Sequence, residues 1–167
     1  MFETVDNIES EQGKQANLQF LSFTLGKEEY AVDILRVQEI RSWEPISRIP
    51  NVPSYEKGVV NLRGAIVPII DLRERFNLGS SVYTPLTVMV VLQAFIGGKI
   101  RVMGVVVDSV SDVINVNRKS IQNSPSFGHR VSTEYISGLV SVDQHMVMLL
   151  DVDKLLKLDG VDNEENS

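Results

Sequence analysis

Cysteine is absent from the 167 residues. That one absence excludes disulfides, thiolate metal ligation and cysteine nucleophiles together. Histidine occurs only at His129 and His145, with no His-x-x-x-His spacing, so a histidine metal site is not expected. No apolar run reaches the length of a membrane-spanning helix. The opening Met-Phe-Glu-Thr-Val-Asp has neither the basic start nor the apolar core of a signal peptide. Neither a phosphate-binding Gly-x-x-x-x-Gly-Lys-Ser/Thr loop nor a Gly-x-Ser-x-Gly elbow is present. No catalytic group, metal or cofactor is expected.

Positive charge is also in short supply, and the shortage is local. The net charge is −6. Residues 1–17 carry −3 and residues 159–167 carry −4, which leaves +1 for residues 18–158. Polar acidic ends of this kind read as flexible, solubilising tails. A near-neutral middle lacks the basic face that nucleic acid requires. A small-barrel nucleic-acid binder remains an alternative, and so does an enzyme with a shallow site.

What is present centres on Gly58–Phe76. Two apolar segments, Gly58–Leu62 and Ala65–Ile70, flank Arg63-Gly64. Short β-branched runs around a Gly-containing turn indicate a β-hairpin. Asp71 then suits a helix N-cap, with Glu74 three residues on to complete a capping box.

The unit recurs 80 residues later, from Gly138 to Leu156. Gly58 falls on Gly138, Val60 on Val140, Ile70 on Leu150 and Asp71 on Asp151. Capping alone explains the paired aspartates. A second block recurs at an offset of 73, with Tyr30 on Met103, Val37 on Val110 and Ile40 on Val113. The different offsets imply a loop seven residues longer in the second half, between Ile114 and Ser137. One supersecondary unit is used twice.

Leu18–Leu25 alternates as a strand with Leu21, Phe23 and Leu25 on one face, and Tyr30–Val32 returns from a turn at residues 26–29. Asp33 is placed to cap a short helix carrying Ile34, Val37 and Ile40. Ile46–Ile49 reads as a short strand, and residues 77–85 as a polar link. Leu86–Phe95 and Ile100–Val107 are apolar runs covered on both faces, joined at Gly97-Gly98. The fold class is all-β: two small packed barrels with short helical segments. The domain expectation is a first barrel over 18–83 and a second over 84–158. A half of this size has a marginal core alone, so the halves should bury surface against each other, with Leu86–Leu92 as the shared layer.

Glu39 and Arg63 are charged residues set within the most apolar segments of the first half. If their elements lie side by side, they can pair, with Val37, Ile40 and Val60 around them. An apolar patch with a charged centre is a recognition surface; a bland surface ion pair is the alternative.

These residues resemble the CheW family of bacterial chemotaxis coupling proteins. The resemblance covers Phe20 to Leu156. It rests on Phe-Thr-Leu-Gly-x-x-x-Tyr at 23–30, Val-Gln-Glu-Ile at 37–40, Ile-Pro-Asn-Val-Pro at 49–53 and Gly-Val-Val-Asn-Leu-Arg-Gly from 58. The second half adds Gly-Val-Val-Val-Asp-Ser-Val-Ser-Asp-Val from 104 and Tyr-Ile-Ser-Gly-Leu at 135–139. The resemblance implies two SH3-like five-stranded barrels and a non-enzymatic cytoplasmic adaptor. It implies that the adaptor is recruited to membrane-bound receptor arrays without inserting into the membrane. The implied partners are the cytoplasmic tips of methyl-accepting chemoreceptors and the CheW-like regulatory domain of the histidine kinase CheA. Position by position, Val37, Glu39, Ile40, Gly58 and Arg63 match receptor contacts, assigned here to a groove between the barrels. Val88, Gly104 and Val105 are assigned to kinase contacts on exposed barrel ends.

Overall fold

Two five-stranded antiparallel-and-parallel sheets make up the body of the protein in a computed structural model, which describes residues 17–44, 46, 49–79, 82–123 and 134–157. The first half supplies β1 (Asn17–Leu25), β2 (Glu28–Asp33), a 3-10 turn (Ile34–Arg36), β3 (Val37–Ser42), β4 (Glu56–Leu62), β5 (Ala65–Asp71) and α1 (Leu72–Arg75). The second half supplies β6 (Val88–Ile96), β7 (Lys99–Val107), β8 (Ser109–Asn117), a 3-10 turn (Arg118–Ser120), β9 (Ile136–Val142), β10 (His145–Leu150) and α2 (Val152–Leu156).

One sheet has the order β8-β1-β2-β10-β9 and the other β3-β6-β7-β5-β4. Exchanging the two halves converts one order into the other, so the repeat in the sequence is a repeat in space. The register agrees. Ile69 on β5 pairs in parallel with Gly104 on β7, and Leu149 on β10 pairs in parallel with Ala31 on β2. These are the same pairing at the two offsets read from the sequence.

Neither sheet is made by one half. Each takes a hairpin from one half and three strands from the other. A cut between residues 83 and 84 severs both, so the division into an 18–83 barrel and an 84–158 barrel is corrected. The cause is local. Only three residues, Ile34–Arg36, separate β2 in one sheet from β3 in the other. Asp108 alone separates β7 from β8. The chain leaves its sheet at these points before it can pair with its own next strand.

Three apolar clusters follow from this geometry. Alternation along β1 sends Leu21, Phe23 and Leu25 to the central cluster and Phe20 to the interior of its own sheet. β6 does the same, with Val90 and Leu92 central and Met89 and Val91 inside the second sheet. The central cluster is therefore the shared layer, and it draws on both halves. Leu86 is no part of it, being 69% exposed. Fully burying a Leu- or Phe-sized side chain contributes about 1.5–3 kcal/mol, so this seam is the main source of cohesion.

Arg75 crosses the seam. Its guanidinium lies 4.9 Å from the Tyr55 ring and 5.3 Å from the Tyr135 ring, and it donates to the Tyr135 hydroxyl. The two tyrosines are repeat counterparts. Each also accepts a backbone bond from its own aspartate: Asp71 N–H to Tyr55 O at 2.7 Å, and Asp151 N–H to Tyr135 O at 2.8 Å.

Three local expectations change. The helix from Asp33 stops at Arg36, and Val37 to Ile40 are strand. Asp71 caps α1 through the N–H groups of Arg73 and Glu74, but its own N–H goes to Tyr55, so Glu74 closes no capping box and instead pairs with Lys57. Ile46 and Ile49 are outside any strand, while Pro45, Ser47 and Arg48 lie beyond the described residues. The two tails, apart from Asn17 at the start of β1, and the loop carrying Pro125, Gly128 and His129 lie beyond them too.

Candidate partner-binding site

Leu62 pairs with Ala65, so Arg63-Gly64 is a two-residue hairpin loop. Both residues have positive φ, 53° for Arg63 and 87° for Gly64, the requirement of a type I′ turn. The Asn61 side chain accepts from the Gly64 N–H at 2.9 Å and fixes the tip. An arginine in this left-handed conformation costs about 1–2 kcal/mol, and the hairpin holds it there.

Glu39 stands on β3. Burial alternates along that strand, with Val37, Glu39 and Arg41 half-buried and Gln38, Ile40 and Ser42 exposed. β3 and β4 are the two free edges of their sheet. Arg63 at the β4–β5 tip donates from Nη2 to Glu39 Oε2 at 2.9 Å, linking the edge strand β3 to the hairpin that carries the other edge. The Arg63 side chain is 80% exposed and the Glu39 side chain 24%. One carboxylate oxygen and most of the guanidinium's donors stay available to a partner.

Between the two edges lies a cleft of about 280 Å³, lined by Arg41, Trp43, Val59, Val60, Asn61 and Met89 among others. Trp43 stacks on Tyr83 at 4.7 Å, and the Tyr83 hydroxyl donates to Asp71 at 2.8 Å. Tyr83 is thus pinned beside the cleft-lining Trp43. Trp43, Tyr83 and Met89 were not singled out as site residues in the sequence. Trp43, the sole tryptophan, was the available signal, since tryptophan is enriched at binding surfaces.

Glu39 and Arg63 come together on this edge, with Ile40 exposed beside Glu39 on β3, whereas Val37 packs against the central cluster. The groove differs from the one expected, because Glu39 and Arg63 belong to one sheet and border a cleft within it, not a groove between barrels. Gly58 departs from the group. It is buried at a bulge in β4, with φ 144°, and lines a second, more apolar groove of about 480 Å³. That groove opens where the parallel pairing of β5 with β7 ends at Ile69 and Gly104, and it exposes Ile66 and Ile100.

Val88, Gly104 and Val105 do not form an exposed end. Val105 is 1% exposed in the central cluster, and Val88 is half-buried against it. A Cβ on Gly104 would sit 2.5 Å from Ile69 Cδ1 and 3.2 Å from Met89. Strand residues inside a two-faced sheet are covered on both sides, and their apolar spelling does not tell an inner position from a rim.

Two small barrels, packed through a shared seam and presenting ion-paired free edges, define a β-sheet recognition module. The comparisons place it more closely. The model of the CheW-like domain matches residues 19–159, and the chain belongs to that family. A chemotaxis protein CheW from Klebsiella aerogenes is 47% identical over 144 residues, covering 86% of this chain and 84% of that protein. A probable chemotaxis protein CheW from Rhizobium etli is 34% identical, covering 84% and 88%. Among solved structures, the scaffolding protein TtCheW from Thermoanaerobacter tengcongensis superposes with a TM-score of 0.76 at 29% identity, covering 86% of this chain and 90% of that one.

Proposed function

We propose that this chain is a non-catalytic adaptor that couples membrane-bound chemoreceptors to a CheA-type histidine kinase. The observation that carries the reading is the Arg63–Glu39 pair across the free edges of one sheet. Arg63 is mostly exposed and held in a costly backbone conformation, a placement that packing does not call for. A receptor helix laid along this edge meets Ile40 and Val37 with its apolar stripe and the Arg63 fork with its polar groups. The kinase takes the apolar groove lined by Ile66, Pro68, Ile100 and Met103, beneath which Gly104 packs against Ile69. Two partners on two grooves suffice for control, because a binder that prefers one joint state of its partners shifts their equilibrium. The protein works at receptor arrays by recruitment, without inserting into the membrane.

The test is reconstitution of receptor fragments on vesicles with the kinase and this protein. Arg63→Glu should fold normally and lower receptor-dependent kinase activity roughly tenfold, since a misplaced like or unlike charge at an interface carries that order of effect. Normal coupling by the folded variant defeats the site assignment.

A further inference from the structure

Among the described residues, two ion pairs that join the halves run in opposite directions. α1 of the first half sets Arg73 Nη1 3.1 Å from Asp108 Oδ2, at the β7–β8 crossover of the second half. α2 of the second half sets Asp153 Oδ2 3.0 Å from Arg36 Nη2, in the β2–β3 crossover of the first half. Arg73 and Asp153 are repeat counterparts, each two residues past its cap, Asp71 or Asp151. Asp108 and Arg36 occupy neighbouring register positions, their strict counterparts at the offset of 73 being Leu35 and Ser109.

At both seams, then, the first half offers a cation and the second half an anion. All four side chains are partly covered, from 26% to 44% exposed, so solvent does not fully screen them. Asp108 is held further by the Gly26 N–H at 2.7 Å, and its own N–H goes to Thr24 O at 3.1 Å. The Arg36 guanidinium also lies 5.6 Å from the Phe95 ring. The strand order is the same in the two halves, so the backbone framework by itself discriminates little between like and unlike pairings.

We propose that this polarity is a recognition code by which the two halves select each other. A pairing of two first halves, drawn from two copies of this chain, would set Arg73 against Arg36 at both seams. A pairing of two second halves would set Asp153 against Asp108 at both. Like charges disfavour both assemblies, and exchange between copies is restricted to first half with second half. This goes beyond the adaptor reading and does not depend on it.

The test uses the full chain with a protease recognition sequence inserted after Gly79. Protein purified from cells is cut, and native mass spectrometry weighs the resulting bodies. The natural sequence should give one first half with one second half. Arg73→Asp combined with Asp108→Arg keeps both seam pairs within the chain but makes like halves complementary. Bodies of two first halves and of two second halves should then rise roughly tenfold, the order expected when a few partly covered charge contacts change sign. Arg36→Asp with Asp153→Arg should do the same at the other seam. All four changes together reverse both polarities and should restore the one-to-one product, which a loss of folding would not do. Equal amounts of like-half bodies in the natural and two-change proteins, or their persistence in the four-change protein, overturns the proposal.

Discussion

Arg63 reaches from the β4–β5 tip to Glu39 on β3, 2.9 Å away, linking the hairpin of one free edge to the strand of the other. The pair contributes little to stability, since an exposed ion pair is worth about 0–1 kcal/mol. The backbone at Arg63 works against it, with φ at 53°. Stability and position therefore conflict at this residue.

Arg63→Asn exploits that conflict. Asn-Gly is the preferred dipeptide for this turn, so the variant should gain about 0.5–1 kcal/mol in urea unfolding through relief of the left-handed strain. The same preparation should lose receptor-dependent kinase control. A drop in stability would show that the turn is not strained at this position.

Gly104→Ala should lose about 1–3 kcal/mol, because its Cβ would meet Ile69 and Met89 inside the sheet. Kinase binding measured well below the unfolding midpoint should be nearly unchanged. A large loss of binding with unaltered stability would instead place Gly104 in direct contact with the partner.

The two helix caps should differ in weight. Asp71 is 1% exposed, caps α1 and accepts from Tyr83. Asp151 is half-buried, and its side chain accepts from Lys154 N–H at 3.0 Å. Asp151→Ala should cost about 1 kcal/mol, the usual worth of a cap. Asp71→Ala should cost about 2–3 kcal/mol, because it also removes the hydrogen bond from the Tyr83 hydroxyl. Tyr83→Phe should recover part of that difference in a double-mutant cycle.

Arg75→Leu gives the first half the residue of its own counterpart, Leu155. It should still lower stability by about 1–3 kcal/mol, since the cation–π contacts to Tyr55 and Tyr135 and the hydrogen bond to Tyr135 across the seam disappear. Trp43 emission followed through urea unfolding reads the change.

Much of this architecture was legible because the chain writes its unit twice. The hairpin around Arg63-Gly64, the aspartate caps and both offsets are local patterns, and each recurs in the structure. The strand at Val37–Ser42 was misread for a local reason too. Its inner face carries Glu39 and Arg41, so alternation was hidden, while Ile34, Val37 and Ile40 matched helical spacing. The exchange of strands left no local trace. A sequence marks which segments are extended, but the pairing of β5 with β7 depends on where two three-residue-or-shorter crossovers send the chain. Burial at Gly104 and Val105 was hidden for the same cause, since their cover comes from the opposite half.

The interleaving of the sheets sets an order on synthesis. The sheet holding β3, β4 and β5 has all its strands once the ribosome has released Val107. The sheet begun by β1 waits for β10, and hence for Leu150. Until then the first hairpin made is the last to find its neighbours on one side, and its apolar faces stay open to the cell for most of translation.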